Sequence, residues 1–282
     1  MIVSIKKALK DVASDKYDKQ NIFLYLSTLF IAGILVFFLP EELRNQSMTN
    51  TMKPEDILGL YASAQVISIF IISMFIGLIS NGIFCVANNN AIHNKHGVFP
   101  NPLKEIGKIL TTGLKYFLGS FLVILLIYIV AIVISLVLIK INPLLLILII
   151  PLVLVLVHIW LCVNFRFYIT LKFKDWFSFK KSWIMIAKNK RRYGSYIGKS
   201  TILLIIYFIL FGIIISCSGI LLQTIGLISG NMKEAQTAIM AITTIVQVLA
   251  GGFLAVYFVN FNSQLLGPIV MKKKKKTITQ PI

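Results

Sequence analysis

The chain has 282 residues, 57% of them hydrophobic and only 13% charged, where a soluble domain carries about a quarter charged. With a mean hydropathy of +0.87 it lacks the polar groups to cover its exterior in water, so lipid is its main solvent and an ordinary soluble enzyme is excluded. The 28 Lys and Arg against 10 Asp and Glu leave a net charge of +18, which suits nucleic acid or anionic headgroups according to where the bases lie.

Residues 1–21 form a basic amphipathic segment in which Ile2, Ile5, Leu9 and Val12 recur at helical spacing among Lys6, Lys7 and Lys10. A bilayer core about 30 Å thick needs about 20 helical residues to cross it. Residues 22–39 supply the first such span; it reads as a retained anchor, because its apolar run is too long for a signal peptide and FLPEEL has no small-x-small cleavage site. The second span lies within residues 57–87. A second amphipathic helix follows, with Asn101 as its cap, Pro102 at its first position, and Leu103, Ile106 and Leu110 on one face away from Lys104 and Lys108.

The third span covers about residues 114–139. The fourth runs from Pro143 to about Val163 and is expected to kink at Pro151. A third amphipathic helix sets Phe179, Trp183, Ile186 and Ala187 against Lys180, Lys181, Lys190 and Arg191. The fifth and sixth spans cover about residues 201–229 and 238–260, and a basic tail, residues 263–282, carries Lys272 to Lys276.

The expected fold is therefore all-α: a polytopic membrane protein with six transmembrane helices and three interfacial amphipathic helices. Its membrane domain is residues 22–262. A threefold repeat over residues 1–87, 98–163 and 174–262 is suggested by Lys16-Tyr17, Lys115-Tyr116 and Arg192-Tyr193, each closing an amphipathic unit ahead of a span. Twenty-four of the bases fall in the segments on one side of these spans and four on the other, whereas the acids divide equally. The positive-inside rule then places both termini in the cytoplasm of a bacterial inner-membrane protein. Bases spread over four juxtamembrane segments, with no nucleic-acid motif, point to anionic lipid and away from nucleic acid.

The stretch KNKRRYGSYIGKS, residues 188–200, resembles a phosphate-binding loop, but its glycines are one residue too close and a span follows it. It reads instead as the joint between a basic interfacial helix and the fifth span. Gly194 and Gly198 would permit a bend there, Tyr193 and Tyr196 would sit at headgroup depth, and Lys199 would snorkel. The residues expected to contact lipid or a partner are Lys180, Lys181, Trp183, Lys190, Arg191, Arg192, Tyr193 and Lys199.

Ionisable or polar groups inside spans are candidates for function because they are costly there. His158, Asn81 and Gln247 are the intramembrane candidates, with a bond to a neighbouring helix favoured over solute contact. Arg166 is expected to reach the headgroups. Small-residue pairs at Ser73/Gly77, Gly212/Ser216 and Gly251/Ala255 are expected at helix contacts. Cys85, Cys162 and Cys217 are far apart within apolar runs, and His93 and His96 lack further ligands nearby, so no metal site, cofactor or catalytic constellation is expected.

The segments FPNPLKEIGKILTTGLKYFLGSF and FKDWFSFKKSWIMIAKNKRRY resemble a family of bacterial and archaeal six-span integral membrane proteins of unknown function. The second segment is also similar to what the membrane domain of glycerophosphodiester phosphodiesterases places before a span. The resemblance implies architecture over about residues 20–265, and no catalytic residue comes with it. The functional expectation is a non-enzymatic accessory or scaffold protein that engages anionic lipid or a partner membrane protein. The alternative is a transporter or ATP-binding-cassette permease subunit, with residues 164–200 docking an ATPase.

Overall fold

The computed structural model describes residues 19–35, 38, 55, 59, 63–95, 97–142, 147, 149–229 and 232–278. The first amphipathic segment up to Asp18, His96 and Pro143 lie outside the described residues. No strand occurs among the described residues. The long elements are α1 (Lys19–Leu35), α2 (Ala64–Ile92), α3 (Ile106–Ile141), α4 (Ile149–Thr170), α5 (Phe179–Ala187), α6 (Lys190–Ser229) and α7 (Met232–Ile278). A 3-10 turn, Phe173–Phe177, lies between α4 and α5. Helix is what such runs must form in lipid, where each backbone amide needs a partner within its own segment. Three of these helices hold stretches long and apolar enough to cross a membrane: Ala64–Ile92, Ile106–Ile141 and Ala241–Val270.

The helix ends follow local chemistry. Ser63 Oγ accepts the N–H of Val66 at 3.3 Å and caps α2. Asn101 Oδ1 accepts the N–H groups of Leu103 and Lys104 at 3.0 and 3.3 Å, but it closes a turn and does not cap the helix expected from Pro102, because the helix begins only at Ile106, after Glu105. Helix α3 then runs 36 residues without interruption. The expected second interfacial helix and third span are thus largely one rod. The 40-residue α6 behaves likewise: Gly194 and Gly198 lie inside it, and the break expected there falls at Lys188 and Asn189 instead. Pro151 falls in the first turn of α4, where its missing N–H removes no intrahelical bond, so no kink is required. Past residue 262, where the membrane domain is expected to end, α7 continues through Pro268 to Ile278 and buries Leu265, Leu266 and Ile269.

Helices α1, α2 and α7 pack on one another, α2 lies along α3, and α4 contacts α2, α3 and the surface segment that follows it. The protein-covered core is concentrated at one end of the bundle. It draws on α2 from Leu78 onward, α3 from Ile109 to Val123, α4 from Cys162 to Tyr168 and α7 from Val256 to Ile269. The loop between α2 and α3 folds back into this end. Phe99 is buried against Tyr25 at 5.7 Å between ring centres, and its carbonyl accepts from Asn21 Nδ2 at 3.0 Å. Beyond Val123, α3 is apolar and exposed on several sides, with Tyr128 at 66%, which suits a lipid-bathed rod.

Helices α2 and α3 approach closely. A methyl group on Gly82 would strike the Ile109 carbonyl, and one on Gly113 would strike that of Leu78, so two absent side chains let the backbones approach. The spacing-based expectation for Gly77, Gly212 and Gly251 is not met: an added methyl there meets nothing among the described residues. Four-residue spacing puts small residues on one face, but it does not say which face meets a neighbour. Gly82→Ala or Gly113→Ala should therefore lower stability in detergent by about 1–3 kcal/mol through forced helix separation, while Gly77→Ala should leave the melting temperature within error of wild type. Thermal unfolding followed by circular dichroism distinguishes the three.

Candidate lipid-facing site

Residues 171–189 form a strap across the well-packed end of the bundle. It begins where α4 stops: Leu171 takes a left-handed φ of 53°, and the carbonyls left open at the helix end are claimed by α2. Asn89 Nδ2 donates to the Tyr168 and Ile169 carbonyls at 2.9 Å each, and His93 Nε2 lies 3.0 Å from the Ile169 oxygen. The chain then turns through Phe173–Phe177 into α5 and breaks again at Lys188 and Asn189 before α6.

Two anchors hold the strap down. The first is Trp176, fully buried with its indole seated on Gly119 of α3, in the space that any larger residue would fill. Tyr116 and Phe167 pack on that indole at ring-centre distances of 5.5 and 5.3 Å. The second is Asp175. Arg166 Nε of α4 donates to its Oδ1 at 2.7 Å, and Thr170 Oγ1 donates to its Oδ2 at 2.6 Å. Arg166 therefore does not extend to the headgroups as its position suggests, because a carboxylate nine residues on holds it against the bundle. Burial opposes ionisation of Asp175. The bonds from Thr170 and Arg166, with the charges of Arg166 and Lys174, outweigh it and hold the carboxyl below its ordinary value.

With the inner side so fixed, the outer side is basic and greasy together. Lys172, Lys174, Lys180, Lys181, Lys188, Lys190, Arg191 and Arg192 are all exposed, and between them lie Trp183 at 59% and Phe177 at 48%. Among the described residues the ion pairs are Arg166–Asp175 and Lys108–Glu105, and neither involves a base of this surface. The expected stripe of α5 is rotated relative to the bundle. Ser182 and Ile186 face inward, Ser182 Oγ donating to the Ser178 carbonyl at 2.9 Å, while Trp183 and Ala187 face out. Of the remaining residues expected here, Tyr193 is half-buried against His158 and Phe165, at 6.2 and 6.3 Å between ring centres, and Lys199 is half-buried.

The intramembrane candidates do not form a common site. Asn81 Nδ2 donates to the Gly77 carbonyl of its own helix at 2.8 Å, Gln247 is exposed, and His158 packs on Tyr193. Polar residues that join helices include Trp160, whose Nε1 donates to Ser120 Oγ at 3.3 Å, and asparagines nearer the packed end. Asn262 Nδ2 of α7 donates to Asn88 Oδ1 of α2 at 2.8 Å, with both side chains buried, and Asn90 Nδ2 reaches the Val98 carbonyl at 3.2 Å. The run of three asparagines at 88–90 beside an apolar span was the available sequence signal. Among the described residues no three His, Cys, Asp or Glu side chains group as metal ligands.

No family model, curated protein or solved structure matches the chain. The geometry must carry the argument alone. What it offers is a positively charged, aromatic-bearing surface rigidly tied to an apolar bundle, the arrangement expected of a headgroup-level contact.

Asp175→Asn would leave Arg166 without its partner in a mostly buried position and should destabilise strap docking by about 3 kcal/mol. Its pH dependence has a defined sign. The undocked carboxyl titrates at its ordinary value of 3.8 and the docked one lower, so the contribution is complete above about pH 5 and fades as pH falls through the docked value. Tryptic cleavage within residues 171–189, measured after brief incubation at graded pH, should rise below pH 4 in wild type and be high throughout in the variant.

Proposed function

We propose that the chain is a non-enzymatic, six-span protein of the bacterial cytoplasmic membrane, with both termini cytoplasmic, that engages anionic phospholipid through the strap and the start of α6. The observation that carries this reading is the row of exposed bases around Trp183, without acidic partners among the described residues. Each base near an anionic leaflet contributes about 1 kcal/mol before repulsion and salt reduce it. The aromatic ring adds an amphipathic anchor at the same depth. Helices α1, α4 and α6 would supply the remaining three spans.

Protein extracted in mild detergent from a bacterial membrane should retain phosphatidylglycerol in preference to phosphatidylethanolamine. The combined variant K180Q/K181Q/K190Q/R191Q/R192Q should lose at least about fivefold of that preference. Equal retention of the two lipids by wild type would remove the proposal. The topology is tested separately by single cysteines at Arg44 and Lys95 in a background with Cys85, Cys162 and Cys217 replaced. Membrane-impermeant maleimide should reach residue 44 in intact cells and residue 95 only after permeabilisation; labelling of both from one side would contradict six alternating spans.

A further inference from the structure

The strap that carries the lipid-facing bases also bridges α3 and α4, which touch directly as well, Trp160 Nε1 donating to Ser120 Oγ at 3.3 Å. Its inner side places Trp176 on Gly119 of α3 and bonds Asp175 to Arg166 and Thr170 of α4. Its outer side presents Lys174, Lys180, Lys181 and Trp183. Two features show that the bundle alone does not satisfy this segment. Trp176 Nε1 is buried with no hydrogen-bond acceptor among the described residues, a cost set against the gain from burying the ring. The inward face of α5 buries Ile186 and Ser182, with Phe179 and Met185 packed beside them, and leaves the indole of Trp183 outside as the largest apolar group of that helix not covered by the bundle.

We infer that an anionic phospholipid leaflet, bound on the outer side of the strap, keeps its inner side docked, so that headgroup charge sets the integrity of the α3–α4 junction. This rests on the lipid-engaging role proposed above and adds a regulatory consequence to it. The physical basis is linkage: a ligand that binds one arrangement better than another shifts the population toward it. The sign follows from Asp175. It adjoins Trp176 on the inner side, so a strap that lifted away and turned that side to the membrane would bring an unpaired carboxylate to an anionic surface. The docked pose instead pairs the acid with Arg166 and offers only bases to the lipid.

The test uses the full chain in nanodiscs of phosphatidylcholine with and without phosphatidylglycerol, at fixed pH and ionic strength. Hydrogen exchange is read over residues 171–189 and, as an internal control, over Ile83 to Ile92 of α2. Phosphatidylglycerol should slow exchange in the strap by at least about fivefold, the effect of one base at an anionic surface, and leave α2 unchanged. The variant K180Q/K181Q/K188Q, whose substitutions are all exposed and leave the charges around Asp175 in place, should lose most of the slowing while keeping the α2 pattern. Selective retention of phosphatidylglycerol with strap exchange unchanged, or faster, would overturn the inference and leave the lipid-engaging reading intact. Failure to retain phosphatidylglycerol selectively would overturn both.

Discussion

The seat of one indole on one glycine joins the two halves of this protein's physics. On one side of that contact is an apolar bundle containing three helices long and apolar enough to cross a membrane; on the other is an exposed surface rich in bases. Trp176 can lie flat on α3 only because position 119 has no side chain. The adjacent Asp175 can be buried only because Arg166 and Thr170 answer its charge and lone pairs. The two anchors are consecutive in sequence but work by different means, shape for the ring and electrostatics for the carboxylate. Together they fix which side of the strap is available for anything else, and the basic character of the outer side follows.

Within the bundle, apolar burial cannot favour helix association over lipid as it would over water. The structure uses two other devices at the packed end. Backbones come close where Gly82 and Gly113 leave room, which gains dispersion contacts along both helices. Asparagine side chains then cross between elements: Asn21 to the loop at Phe99, Asn89 to the end of α4, and Asn262 to Asn88. In a medium without water, each such bond would have to be replaced before the helices could part. Among the described residues the opposite end has fewer of these ties, and the outer half of α3 there is largely exposed.

Much of the helical framework was legible in the sequence, because long apolar runs between basic segments leave the backbone few alternatives. The local bonding of Asn101 was legible, since a short polar side chain before proline has a specific use, but it closes a turn and caps no helix. What sequence spacing could not supply was which face meets which neighbour. Gly77 and Gly251 had suitable spacing but no close partner among the described residues, whereas Gly82 and Gly113 matter because α2 and α3 cross at that height. Arg166 was misplaced because its acid lies beyond a helix end, and only the 3-10 turn brings Asp175 back. The asparagines were overlooked because they flank the most apolar windows. The rotation of α5 depended on tertiary packing, which set Ser182 inward against the stripe that periodicity favoured.

The unbroken length of α3 has a mechanical consequence. Its 36 residues extend about 54 Å at 1.5 Å per residue, well beyond the thickness of a bilayer's hydrocarbon core. Gly82's neighbour Ile109 and the Trp176 seat both lie in its first half, so they act as a fulcrum near one end of a stiff lever. A tilt of about 5° about that fulcrum would sweep the far tip, around Lys140, sideways by about 3 Å.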